Sequence, residues 1–145
     1  MKTLNQIVTD FQSIATNHLQ INSFGFGDVW EIEASGAKTA PLMWLYWRQS
    51  NTSERIIEHQ FTLLFMDLVD KGENNETEVL SDQLLICTDV LALLDDPDYW
   101  DDMIIDVTSG IEPFTERFDN DWAGVSVDFT LRCPFTRNNC LVPTT

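Results

Sequence analysis

The sequence predicts an α+β fold: a mostly antiparallel β-sheet with an N-terminal and a mid-chain helix packed on one side. Two apolar stripes at helical spacing, over residues 4–19 and 79–94, carry the helices. A strict two-residue alternation over residues 125–133 carries the sheet. The order along the chain is helix, three strands, helix, three strands, in one domain spanning residues 1–145.

In the first helix Leu4, Ile7, Val8, Phe11, Ile14, Ala15, His18 and Leu19 recur at intervals of three and four, and Asn5, Gln6, Asp10, Gln12, Ser13 and Asn17 fill the other face. Gly25 and Gly27 then mark a loop. A strand is expected over residues 28–34, where Val29 and Trp30 lead to Ile32 between Glu31 and Glu33. Residues 40–47 and 61–69 are apolar on both faces, as in central strands covered from both sides. The polar run Gln49-Ser50-Asn51-Thr52-Ser53 reads as the turn between them. Gly72-Glu73-Asn74-Asn75 opens the second helix, with Asn75 as N-cap and Glu78 as its capping-box partner. Val79, Leu80, Leu84, Cys87, Val90, Leu91 and Leu94 form its stripe. Asp95-Asp96-Pro97 ends it, since proline cannot continue the ladder. Short strands follow over residues 103–107 and 112–118, and Asp119-Asn120-Asp121-Trp122-Ala123-Gly124 reads as a turn. Val125, Val127, Phe129, Leu131 and Cys133 then alternate with Ser126, Asp128, Thr130 and Arg132, so the first set is expected inside and the second outside.

A chain of 145 residues with 43% apolar content can build its own core, because this size buries about 68–70% of its unfolded surface. Eight Lys plus Arg face 24 Asp plus Glu, a net charge of −16. Affinity for DNA comes chiefly from cations that displace counterions, so the balance speaks against a role gripping DNA or anionic membranes. An acidic surface still suits a place beside DNA, where repulsion prevents sticking. The start, Met1-Lys2-Thr3-Leu4-Asn5-Gln6, lacks the apolar run of a signal peptide, and charges interrupt every apolar stretch before it could span a bilayer. Cys87, Cys133 and Cys140 are odd in number and widely spaced, the pattern of reduced thiols. A Cys133–Cys140 pair is the alternative.

Asp95, Asp96, Asp98, Asp101 and Asp102 crowd around Tyr99 and Trp100. Such oxygens suit calcium, but a solvated acidic loop after a helix accounts for them. The segment from Asp119 opens like a calcium loop, yet its fifth position is Ala123 and its twelfth is Thr130, where a bidentate Glu is needed. His18 and His59 have no zinc-ligand spacing to the cysteines. Nucleophile elbows and dinucleotide fingerprints are absent, and Gly25-Phe26-Gly27 is too short to cradle a phosphate. No catalytic residue, cofactor or metal is therefore predicted, and the chain is expected not to be an enzyme. The five tryptophans are Trp30, Trp44, Trp47, Trp100 and Trp122. Tryptophans fill cores and also anchor subunit interfaces. Trp44, Trp47 and Trp122 are the candidate interface residues, Trp122 because a polar turn in one small domain offers it little cover.

The run from Ile111-Glu112-Pro113-Phe114 through Asp119-Asn120-Asp121-Trp122-Ala123-Gly124 to Phe129-Thr130-Leu131, closed by Pro134 and Phe135, resembles small neck and tail-terminator-like proteins of tailed phages. It looks most like those of crAss-like and other Bacteroidetes phages. The resemblance implies a tail-terminator-like fold and a virion protein assembled in the host cytoplasm. It implies copies closed into a six- or twelve-fold ring below the portal, in contact with the portal or adjacent neck and tail proteins. Genomic DNA would pass through without specific binding, and no membrane would be involved. The segment has no chemical role to transfer. The alternative of another class is an acidic DNA mimic or host-defence inhibitor. A charge of −16 suits it, but strands apolar on both faces do not suit a phosphate-like array of acids.

Overall fold

Six strands form one sheet: β1 (Ser23–Phe26), β2 (Leu42–Ser53), β3 (Ile56–Leu68), β4 (Ile104–Val107), β5 (Glu112–Arg117) and β6 (Trp122–Pro134). Helix α1 (Leu4–Asn17) precedes β1, and α2 (Glu76–Leu94) lies between β3 and β4. This computed structural model describes residues 2–28, 31, 39–69, 75–96, 103–117, 122–135, 140 and 142–144, without the side chains of Glu116 and Arg117. The strand order is β1-β2-β3-β6-β4, with β5 also paired to β6. Every pairing is antiparallel except β1 with β2. The architecture is α+β, as the sequence predicts.

Alternation sorts the side chains onto two faces. Met43, Leu45, Phe61, Leu63, Phe65 and the odd-numbered residues 125–133 point to the helix face, where they meet Ile7, Phe11 and Ile14 of α1 and Ile86, Cys87 and Val90 of α2. Three rings anchor this layer. Phe61 stacks on Phe129 with centroids 5.5 Å apart, and Phe11 tilts against both at 6.1 and 5.6 Å. On the other, open face Leu42, Trp44, Leu64, Met66, Phe114 and Trp122 form a second buried cluster. The two-faced strands are thus covered on both sides within one chain, which leaves less apolar surplus for a neighbour than their sequence suggests.

Helix α1 starts with a capping box: the Gln6 N–H donates to Thr3 Oγ1 (3.2 Å) and the Thr3 N–H donates to Gln6 Oε1 (2.9 Å). The expected counterpart at Asn75 does not form. Its backbone is not extended, with φ −106° and ψ 10°, and its side chain makes no capping bond. Glu76 and Glu78 in the first turn still complement the positive end of the helix dipole. Helix α2 buries Val79, Cys87, Val90 and Leu94 of its predicted stripe and packs Leu91 against the core, but the stripe is not matched throughout. Gln83 and Ile86 face the sheet, while Leu84 faces solvent.

Residues 49–53 are strand, not turn. They pair with residues 56–60, and Glu54-Arg55 makes the hairpin tip. Gly25 is likewise in a strand. Of the strand expected over residues 28–34, Asp28 and Glu31 are described and neither is strand: Glu31 is helical, with its N–H bonded to the Asp28 carbonyl. The rest lies outside the described residues. β6 begins at Trp122, so the expected turn there is partly strand, and residues 119–121 lie outside the description.

β4 and β5 run one after the other along the same side of β6. Thr108 bonds to Asp128 and Glu112 pairs with Ser126, so residues 109–111 stand opposite the single residue Val127. The Ser109 hydroxyl accepts the Asp128 N–H (2.9 Å) in place of a ladder bond. A second slip separates Phe114 from Arg117, and Pro113 sits between the two breaks. Among the described residues no helix is long and apolar enough to cross a membrane.

Candidate functional site

β2 carries Trp44 and Trp47, three residues apart, so they point to opposite faces. Trp44 is buried in the open-face cluster. Its ring lies across β1 at Gly25, where a side chain would collide with it, and its indole N–H donates to the Gly27 carbonyl at 2.9 Å. Trp122, opposite Leu68, is 5% exposed in the same cluster. The premise that Trp122 lacks cover within one chain is therefore overturned: it belongs to a strand, and Phe114 and Met66 are among its cluster partners. Of the three candidate interface residues, Trp47 alone keeps a large exposed area, at 41%. Trp44 and Trp122 lie together, and Trp47 stands apart from them.

Trp47 opens a short chain of polar contacts. A register slip between Trp47 and Gln49 leaves Arg48 extra, so Trp47 and Ser50 share a face. The Trp47 indole N–H donates to Ser50 Oγ (2.9 Å), and Ser50 Oγ lies 2.6 Å from His59 Nδ1. An indole only donates, so Ser50 accepts that bond, and its own hydrogen is free to serve Nδ1. A neutral ring that accepts there carries its proton on Nε2. Burial beside Phe61 pushes the His59 pKa below the usual histidine range, in agreement. No carboxylate among the described residues bonds this ring, so the third member of a nucleophilic triad is missing there. Sequence reading misses the contact because it joins residues nine apart across a hairpin whose tip, Glu54-Arg55, carries no turn signal.

The open face beyond the Trp44 cluster is polar. Gln49 donates to Gln60 (3.1 Å), and Thr62 donates to Asp128 (2.6 Å). Arg48 pairs with Asp128 (3.4 Å), while Arg132 bridges Glu58 (3.0 Å) and Asp106 (2.8 Å). These pairs are part-exposed, and such pairs contribute only about 0–1 kcal/mol each. At the hairpin end of the band, Ile56, Ile104 and Pro134 surround Arg132 and, with Arg55, line an open hollow of about 190 Å³.

Burial pushes the Cys87 thiol up to about 12 and raises that of Cys133, which makes both poor nucleophiles. None of the three cysteines is joined in a disulfide. Among the described residues no group of three or more His, Cys, Asp or Glu could hold a metal ion. Asp95 and Asp96 are exposed, and residues 97–102 of the acidic loop lie outside the description. No family model matches the chain, and no curated protein matches it.

Proposed function

We propose that the chain is a structural virion protein that forms a homo-oligomeric ring in the neck of a tailed phage, below the portal, through which DNA passes. One observation carries the assembly reading: large apolar side chains are exposed on both sides of the molecule. Leu84 and Leu85 project from α2, and Ile56 and Ile104 project from the open face. A lone subunit leaves both sets in water, whereas a subunit with a neighbour on each side buries both. The resemblance of residues 111–135 to neck proteins supplies the location and the copy number of six or twelve. The charge of −16 suits a channel wall that DNA must not stick to. A second reading, an acidic inhibitor occupying the DNA site of another protein, is favoured by α2, whose charged residues Glu76, Glu78, Asp82 and Asp89 are all acidic.

Electron cryomicroscopy of particles purified from infected cells tests the proposal. A ring at the neck containing six or twelve copies is expected. Finding the chain only in the infected-cell cytosol, or at one or two copies per particle, overturns the ring and leaves the inhibitor.

A further inference from the structure

The two exposed apolar sets differ in charge. On α2, Glu78, Asp82, Leu85 and Asp89 follow at steps of four, three and four, so they form one stripe with Leu85 at its centre. Leu85 is 59% exposed, with Leu84 beside it. The helix contains no Lys or Arg, so this ridge is acidic along its length. Asp89 already bonds His18 (3.0 Å), which leaves Glu78 and Asp82 as its outward carboxylates.

The hollow on the open face is lined by apolar residues with two arginines and, among the described residues, no acid. Ile104 is 64% exposed and pairs with Arg132, and Ile56 pairs with Pro134, so these four share one face. Among the cations with described side chains, Lys2, Arg48 and Arg132 have carboxylate partners. Arg55, at the rim, has none within the described chain. An acidic ridge with a leucine crest therefore matches an apolar hollow with a free guanidinium.

Ridge and hollow lie on opposite sides of the sheet and cannot meet within one molecule. Accepting the ring reading, we infer that copies dock head to tail, the Leu84–Leu85 ridge of one seated in the Ile56–Ile104 hollow of the next, with Arg55 against Glu78 or Asp82. Such a contact joins two different surfaces, so each subunit keeps one of each for the next copy. The series closes into a ring or grows as a filament according to the rotation per step.

Complementary variants test this. Leu85→Asp spoils the ridge and Ile104→Glu spoils the hollow; both side chains are mostly exposed, so the fold should tolerate the changes. Sedimentation velocity of the full chain at rising concentration should show wild type assembling. Each variant alone should stay monomeric, its dissociation constant raised about thirtyfold or more, as for a central contact residue. An equimolar mixture should give dimers that do not grow, because each variant supplies the surface the other lacks. Arg55→Glu, at the exposed hairpin tip, should behave as a hollow variant and replaces Ile104→Glu if that chain misfolds. Variants that assemble like wild type, or a mixture that stays monomeric, overturn the docking mode while the ring itself stands. A wild type that stays monomeric at every concentration overturns self-docking, and the ring then rests on the copy number in particles.

Discussion

Protonating His59 would put a cation into an apolar layer and turn a second donor onto Ser50 Oγ, which already accepts from Trp47. Burial lowers the folded pKa below the usual 6.5, so the unfolded chain takes up the proton first. The stability conferred by neutral His59 is therefore complete above about pH 6.5 and is lost as pH falls below it, toward the lowered folded value. In urea unfolding between pH 8 and pH 5, the advantage of wild type over His59→Gln should shrink on acidification; an advantage independent of pH would refute this account. Phe129 is simpler. It packs against Phe11 and Phe61 in the centre of the helix face, and Phe129→Ala should cost about 3–5 kcal/mol in the same assay. A cost below about 1 kcal/mol would place it outside the core. Phe129 was legible from alternation alone, because period two leaves one face for every second residue. His59 was not, since its partner comes from the facing strand and the hairpin tip carries no Gly, Asn or Pro to fix the register.

Helix α2 shows where pattern reading stops at the scale of an element. A stripe of Leu and Val locates the helix but fixes its rotation only to within about one residue, or 100°. Tertiary packing chose Ile86 and Gln83 for the inside and left Leu84 in water. Gln83 is 1% exposed, and no described residue hydrogen-bonds its amide. A buried amide without a partner costs about 1–3 kcal/mol. The near-isosteric Gln83→Met should therefore raise the unfolding midpoint, by about 1 kcal/mol of stability or more in urea titration. A fall would mean that the amide is satisfied. In β6, Gly124 pairs with Met66, and a side chain there would run into the Phe65 carbonyl oxygen. Gly124→Ala should accordingly force β6 and β3 apart and lower the thermal midpoint. The β2–β3 hairpin was legible in its apolar half and hidden in its polar half. Gln, Ser, Asn and Thr serve a turn or an exposed strand equally well, and only pairing with β3 decides between them.

For the whole molecule, charge and apolar contact pull in opposite directions. Subunits at −16 repel over a Debye length of about 30 Å at 0.01 M salt and about 3 Å at 1 M. Self-association should therefore strengthen as salt rises, read as a falling dissociation constant in sedimentation velocity; weakening would mean that the Arg55 ion pair outweighs the general repulsion. The layer order was legible because both helices and the last strand announce their inner faces. The open-face cluster was not, since Phe114 and Trp122 reach it only through strand pairings between distant segments. The broken flank formed by β4 and β5 has a consequence for crowding. On the proposed reading as a virion component, the chain would accumulate in quantity before it is built in, and an unbroken, proline-free flank would invite further strands to add to it. Residues 109–111 and Pro113 deny them a straight template. Deleting residues 109 and 110 together with Pro113→Val would straighten that flank, and thioflavin-positive fibrils, absent from wild type under the same incubation, are the expected result.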